Sequence, residues 1–143
     1  MAGGLTREFQ QDIMEVIVRK TTGLAMPSTV WLHLYNTTLN DLATSATTGR
    51  CAGTGYTPKK VTNSTATWVA PTAASPSATE NKVAVTYTTN AGSGWGTIKA
   101  KLIASSSGTG GRAFWWMDVT PNQAVSTGNT VQISTGAVDL TLT

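Results

Sequence analysis

Between residues 5 and 20 apolar side chains return at every fourth position. Leu5, Phe9, Ile13 and Ile17 fall on one stripe, and Arg7, Glu8, Gln11, Asp12 and Glu15 cover the other side. That spacing predicts an amphipathic helix. Thr6 is placed to cap its first turn, Glu8 complements the positive end of the dipole, Arg19 and Lys20 complement the negative end, and Gly23 can stop it. The stripe has to be buried, either on the chain's own domain or on a neighbouring subunit.

After Pro27 the period changes to two. Val30, Leu32 and Leu34 alternate with Trp31, His33 and Tyr35, as in a strand with both faces at least partly covered. Residues 36–55 are polar and turn-rich, a long surface excursion of the kind that is usually functional or mobile. Residues 56–69 offer one bent strand or two short ones, with Pro58 confining the first part to an edge or a strand start. Residues 71–80 read as a small-residue loop.

Val83, Val85 and Tyr87 then mark a strand, and residues 90–94 a turn. In the next strand Ile98, Ala100, Leu102 and Ala104 alternate with Thr97, Lys99, Lys101 and Ile103. Residues 105–111 read as a hairpin loop leading into a nearly all-apolar stretch, 113–119, expected to be a central strand. Pro121 and Gly128-Asn129 punctuate its end. A strand around 131–134 follows, and the chain closes with Val138, Leu140 and Leu142 facing in and Asp139, Thr141 and Thr143 facing out.

One helix followed by about seven or eight short strands, with turns every 8–12 residues, predicts a mainly β fold: an antiparallel β-sandwich, jelly-roll-like. The 143 residues suit a single domain, with 1–23 as a helical arm and 27–143 as the sandwich. No internal repeat is visible.

Composition supports strands and narrows the function. Charged residues make up only 12% of the chain, while Thr and Ser together supply roughly a quarter, a share that suits pleated surfaces wet on one side. The net charge is +3, but the ten Lys and Arg are spread along the whole length instead of forming one stripe, which argues against nucleic-acid binding. Cys51 is alone, so neither an intrachain disulfide nor a cysteine-based zinc site can form. No stretch approaches a membrane span, and charges interrupt the apolar positions after Met1, so a soluble protein made in the host cytoplasm is expected.

Candidate chemistry is sparse. His33, the one histidine, sits in a strand alternation that packs a histidine more readily than it exposes a base. Asp12 and Glu15 lie on the wet face of the helix. Asp118, among Trp115, Trp116 and Met117, is the one acid expected to be partly buried, with Lys99, Arg112 or a backbone turn as its partner. The Gly108-Thr109-Gly110-Gly111-Arg112 run lacks the Gly-Lys-Ser/Thr of a phosphate loop and opens a strand. An enzyme is not expected, nor a catalytic residue, cofactor or metal. Five tryptophans could form a sugar-stacking face, but in a small sandwich they more commonly fill the core or an interface. Adjacent Trp115 and Trp116 must point to opposite faces, so one of them needs cover from the helix, a loop or another subunit.

Taken in order, several segments resemble small tailed-bacteriophage proteins commonly labelled tail-fibre or virion structural proteins. They are Pro27-Ser28-Thr29-Val30-Trp31 after a leading helix, Gly55-Tyr56, Gly94-Trp95-Gly96-Thr97, Gly110-Gly111-Arg112-Ala113-Phe114, and the closing pair around Val131-Gln132-Ile133 and Val138-Asp139-Leu140. The basic residue that usually follows the Tyr is displaced to Lys59 and Lys60, and the first loop lacks the family's acidic Asp-Pro turn. The resemblance implies a virion component without a catalytic site. The first expectation is a capsid decoration (cement) protein binding the major capsid protein and copies of itself, a homotrimer among them. Alternatives are a tail-tip or tail-fibre subunit and a carbohydrate-binding module for host recognition. Candidate interface residues are Leu5, Phe9, Ile13, Ile17, Tyr56, Trp115 and Trp116, with the 36–55 loop beside them.

Overall fold

The computed structural model describes residues 3–19, 26–73, 77–88, 92 and 95–142. The expected helix stop at Gly23, Lys20, Thr143 and all of the 90–94 turn except Gly92 lie outside them, as do the side chains of Thr141 and Leu142.

Among the described residues there is one helix, α1 (Arg7–Arg19), and nine strands: β1 (Gly3–Leu5), β2 (Thr29–Tyr35), β3 (Lys59–Thr62), β4 (Ser77–Glu80), β5 (Val85–Thr86), β6 (Gly96–Ala104), β7 (Ala113–Val125), β8 (Gln132–Ile133) and β9 (Asp139–Leu142). Five form an antiparallel sheet in the order β1-β7-β6-β2-β3. Two antiparallel ribbons, β4-β9 and β5-β8, contribute to the layer over one face. The mainly β, sandwich-like architecture with a single N-terminal helix agrees with the alternation after Pro27.

The first face of the sheet carries Val30, Leu32 and Leu34 from β2, Ile98 and Ile103 from β6, and Phe114 and Met117 from β7. The second layer closes over them with Tyr87, Val131, Ile133 and Val138. Two irregularities between β6 and β7 set this distribution. Ile98 stands opposite Gln123 while Ala100 stands opposite Asp118, so residues 119–122 bulge against Lys99 alone. The alternation is thereby inverted, and Ile98 shares a face with Ile103 although an odd spacing separates them. This corrects the expected pattern for the strand: Ala100, Leu102 and Ala104 turn to the second face, and Lys101, expected among the polar positions, is 3% exposed. The second irregularity makes Phe114 the extra residue between Ala113 and Trp115, so that both aromatic rings lie against the first face.

The second face is covered by the chain itself. Leu39 and Ala43, from the 36–50 part of the expected 36–55 excursion, bury Tyr35, Ala100 and Leu102. Buried Ser45 donates to the carbonyls of Thr109 and Gly111, tying this excursion to the β6–β7 hairpin. Asp41 ties it to the start of α1 through an ion pair with Arg7 of 2.8 Å. The polar excursion is therefore a lid on the sheet.

Other expectations shift locally. Leu5 belongs to β1, paired opposite Trp115, and not to the helix. Thr6 caps α1, its hydroxyl accepting from the Phe9 N–H at 3.4 Å and donating to the Ala113 carbonyl at 2.6 Å. Ser77–Glu80, read as loop, is strand β4 because β9 pairs along its whole length. The Val83–Tyr87 pattern yields only the two residues of β5, and Val83 is exposed. β7 does not end before Pro121 but runs through it to Val125, the proline lying in the bulged stretch. Gly96 opens β6 at a φ of +77°, where a side chain would be strained, and the Asn36 amide nitrogen, 2.8 Å from where a Cβ would stand, would have to move.

Candidate functional site

Where α1 crosses the end of the sheet, the second layer stops short and leaves a groove of about 580 Å³. Ile103, Val30, Phe114 and Trp115 lie on the sheet side, Phe9 on the helix side, and Trp68, Val69, Pro71 and Leu140 on the side of the ribbons. Met26 is 51% exposed at the margin. Phe9 and Phe114 meet edge to face with centroids 5.1 Å apart, which fixes the helix against this wall. Polar groups on the lining are few. They are Asn63, Ser64, Thr65, Thr79 and Lys82, and four are engaged: Asn63 accepts from the Trp68 indole N–H at 3.2 Å, Ser64 bonds Thr67, Thr79 donates to the Val69 carbonyl, and the Lys82 ammonium donates to the Thr65 carbonyl at 2.8 Å. An open apolar groove with so few free polar groups suits apolar protein side chains better than a sugar or a charged metabolite.

The predicted contact residues divide. Phe9 and Trp115 line the groove. Ile13 is half-buried against the core, while Ile17 is 67% exposed, so only the first half of the predicted stripe is covered. Met14 and Val18 are also more than half exposed. Trp116 faces the opposite way, half-buried on the second face beneath the 36–50 cover, as adjacency to Trp115 requires. Leu5 packs half-buried beside the core from β1. Tyr56 points inward: it stacks on Tyr87 at 6.0 Å, meets Trp95 edge to face at 5.3 Å, and its hydroxyl accepts from the Leu34 N–H at 2.8 Å. It is partly buried, packed against the core. The groove itself was not legible in the sequence. Trp68, Pro71 and Leu140 carry no local signal that they meet Phe9.

Of the candidates for chemistry, His33, Cys51, Asp12 and Glu15 are engaged in packing or pairing, and Asp118 is half-buried on β7 as expected. His33 is fully buried. Its Nε2–H donates to the Ser106 carbonyl at 2.8 Å, leaving Nδ1 toward the Arg50 guanidinium at 3.5 Å. Burial foremost, with Arg50 adding to it, holds its pKa below the usual histidine value. Cys51 is buried, and desolvation pushes its thiol up to about 11, away from nucleophilic character. Arg112, offered as a partner for Asp118, instead pairs with Asp12 of α1 at 2.8 Å, and Asp12 is correspondingly not a free solvated carboxylate. Among the described residues no three His, Cys, Asp or Glu side chains gather where they could hold a metal. None of the five tryptophans is exposed as a flat platform: Trp95 is buried and the other four are half-buried.

Comparison with known families gives a match over residues 4–141 to the family described as podophage GP4 fiber I protein gp80. The chain belongs to this family. It is thus a tailed-phage fibre-type structural protein and a component of the virion, in agreement with the ordered segments from Pro27 to Leu140. No match was found among curated proteins.

Proposed function

We propose that the protein is a non-enzymatic subunit of a tail fibre, held on the particle by docking apolar surface against neighbouring proteins. The observation that carries this is the family match across residues 4–141, whose description names a podophage fibre. The groove beside α1 supplies a surface of the right character, large, apolar and short of free polar groups. The engagement of His33 and Cys51 in the interior fits a fold devoted to holding shape. A carbohydrate-binding role finds less support, because sugar recognition needs an exposed aromatic platform flanked by free hydrogen-bonding groups.

Decoration of the capsid, with the major capsid protein as partner, remains a second role. It is favoured by a small sandwich with no sequence repeat and no long helix among the described residues to form a stalk. Gold-labelled antibody applied to intact virions separates the two. Label confined to the tail supports the fibre, label over the head facets supports decoration, and no label on particles that contain the protein's partners contradicts both.

A further inference from the structure

His33 stands where three segments meet. On one side of its strand lies β6, with Leu102 opposite. On the other side β3 pairs with β2 only as far as Leu32, and the end of the 36–50 lid takes its place, Arg50 bridging to Tyr35. The third segment is the 105–112 connection between β6 and β7. The Ser106 carbonyl can only accept, so His33 Nε2, 2.8 Å away, carries the ring proton and Nδ1 is left with a lone pair. That lone pair faces a guanidinium. Arg50 Nη1 stands 3.5 Å from Nδ1 and donates at 3.1 Å to the neighbouring Ser107 carbonyl, so strand, lid and connection are held through one junction. A second proton on the ring can go only to Nδ1. There it turns an acceptor into a donor aimed at a group that has donors alone, and sets two positive charges side by side at a fully buried imidazole.

We infer that His33 and Arg50 form an acid-sensitive latch: a proton added at His33 Nδ1 releases the 36–50 lid and the 105–112 connection from the second sheet face, while the first-face core stays folded. The acids of the chain are placed elsewhere and do not offset the added charge. Asp41 of the lid pairs with Arg7, and on α1 Glu8 accepts from the Ala113 N–H, Asp12 pairs with Arg112 and Glu15 with Arg19. Glu80 and Asp139 belong to the ribbon over the first face, and Asp118 stands on β7 opposite Ala100, beyond β6. Among the other charged groups, Lys101 of β6 reaches the Ala137 carbonyl, Lys99 lies opposite the bulge, and Lys59 and Lys60 of β3 stand beside Leu32 and Trp31. Burial keeps the Tyr35 hydroxyl and the Cys51 thiol neutral beside Arg50. The lid has little else to hold it. Leu39 and Ala43 are the apolar residues it buries, and residues 105–111 are Ser, Gly and Thr throughout. Its remaining ties are polar: Ser45 to the Thr109 and Gly111 carbonyls, and the exposed Asp41–Arg7 pair. The first face, in contrast, packs β2, β6 and β7 against both ribbons. Lifting the lid therefore exposes far less apolar surface than unfolding does, and is the opening the added charge drives first. What it uncovers is Tyr35, Leu102 and Trp116. The latch belongs to the fold and does not rest on the fibre assignment.

Hydrogen exchange of the full chain, read by mass spectrometry and corrected for the intrinsic rate at each pH, tests it. The opened state takes up its proton near 6.5 while the closed state resists it, so opening should increase as pH falls below 6.5, by up to about tenfold per pH unit. Between about pH 7 and 5, peptides from 36–50 and 105–112 should exchange about fivefold faster or more, and peptides from β3 and β8 should not change. His33→Gln, which keeps a donor for the Ser106 carbonyl, should abolish the acid increase. Arg50→Gln gives a reading that does not depend on how well that variant folds. The one histidine supplies a single imidazole resonance, and removing the like charge should raise its titration midpoint by about half a pH unit, roughly threefold in proton affinity. Exchange that rises in all strands together, that shows no acid increase in the lid, or that rises equally in His33→Gln overturns the inference. An unmoved midpoint in Arg50→Gln does the same.

Discussion

Three buried polar side chains show how the sandwich accommodates groups that water would otherwise solvate. Asn81, 1% exposed, is satisfied completely: its amide donates to the carbonyls of Val83 and Ser134, and its oxygen accepts from the Val138 N–H. It joins the segments on either side of β5 and β9 at little cost. Tyr87 donates to the Leu32 carbonyl at 2.7 Å across the core. Tyr35, on the opposite sheet face, has a buried hydroxyl with no partner. These two tyrosines should therefore respond oppositely to loss of the oxygen. Tyr87→Phe strands a buried carbonyl and is expected to cost about 1–2 kcal/mol, whereas Tyr35→Phe should leave stability unchanged or raise it by up to about 1 kcal/mol. Urea midpoints of the two variants measure this directly, and equal losses would contradict the assigned environments. His33 gives a pH signature. The unfolded chain takes up its proton near the ordinary value of 6.5, while the buried ring resists it. Stability from this group is thus complete above about 6.5 and is lost as pH falls through the lower value of the folded state. Because the chain has one histidine, His33→Gln should flatten the dependence of unfolding free energy between about pH 5 and 7, and identical slopes in the two proteins would count against it.

At the scale of elements, the helix start carries more than its length suggests. The Thr6 hydroxyl caps α1 and at the same time bonds β7 through Ala113, while the Glu8 carboxylate accepts from the Ala113 N–H. Thr6→Ala removes the cap and leaves a buried carbonyl short of a donor, for an expected loss of about 1–2 kcal/mol in denaturant unfolding. A loss under a few tenths would contradict this double role of Thr6. The same region marks where sequence patterning was informative and where it was not. Alternation located β2 and β6, and a nearly unbroken apolar run located the start of β7, which is covered on both faces. It failed at Ser77–Glu80, whose small polar residues have no face to declare and become a strand only because β9 pairs with them. It misassigned the faces of β6, because the bulge opposite Lys99 is a property of two strands together. It also extended the helical stripe to Ile17, where the residues are helical but the domain beneath them has ended.

On the scale of the whole molecule, one sheet is covered on both sides by different means. Ribbons and aromatic residues pack the first face, and the 36–50 excursion closes the second. What is left to interact among the described residues is external: the groove, the apolar end of α1, and β3 as the terminal strand of the sheet. Such a groove brings together residues from Phe9 to Leu140, so only the folded chain reveals it. A molecule of this kind acts through shape and contact area multiplied over copies. Its assignment as a structural part of the virion is tested most directly by quantitative mass spectrometry of purified, intact particles. A fixed copy number, constant between preparations and resistant to washing, is the predicted result; particles that carry only trace or variable amounts would contradict it.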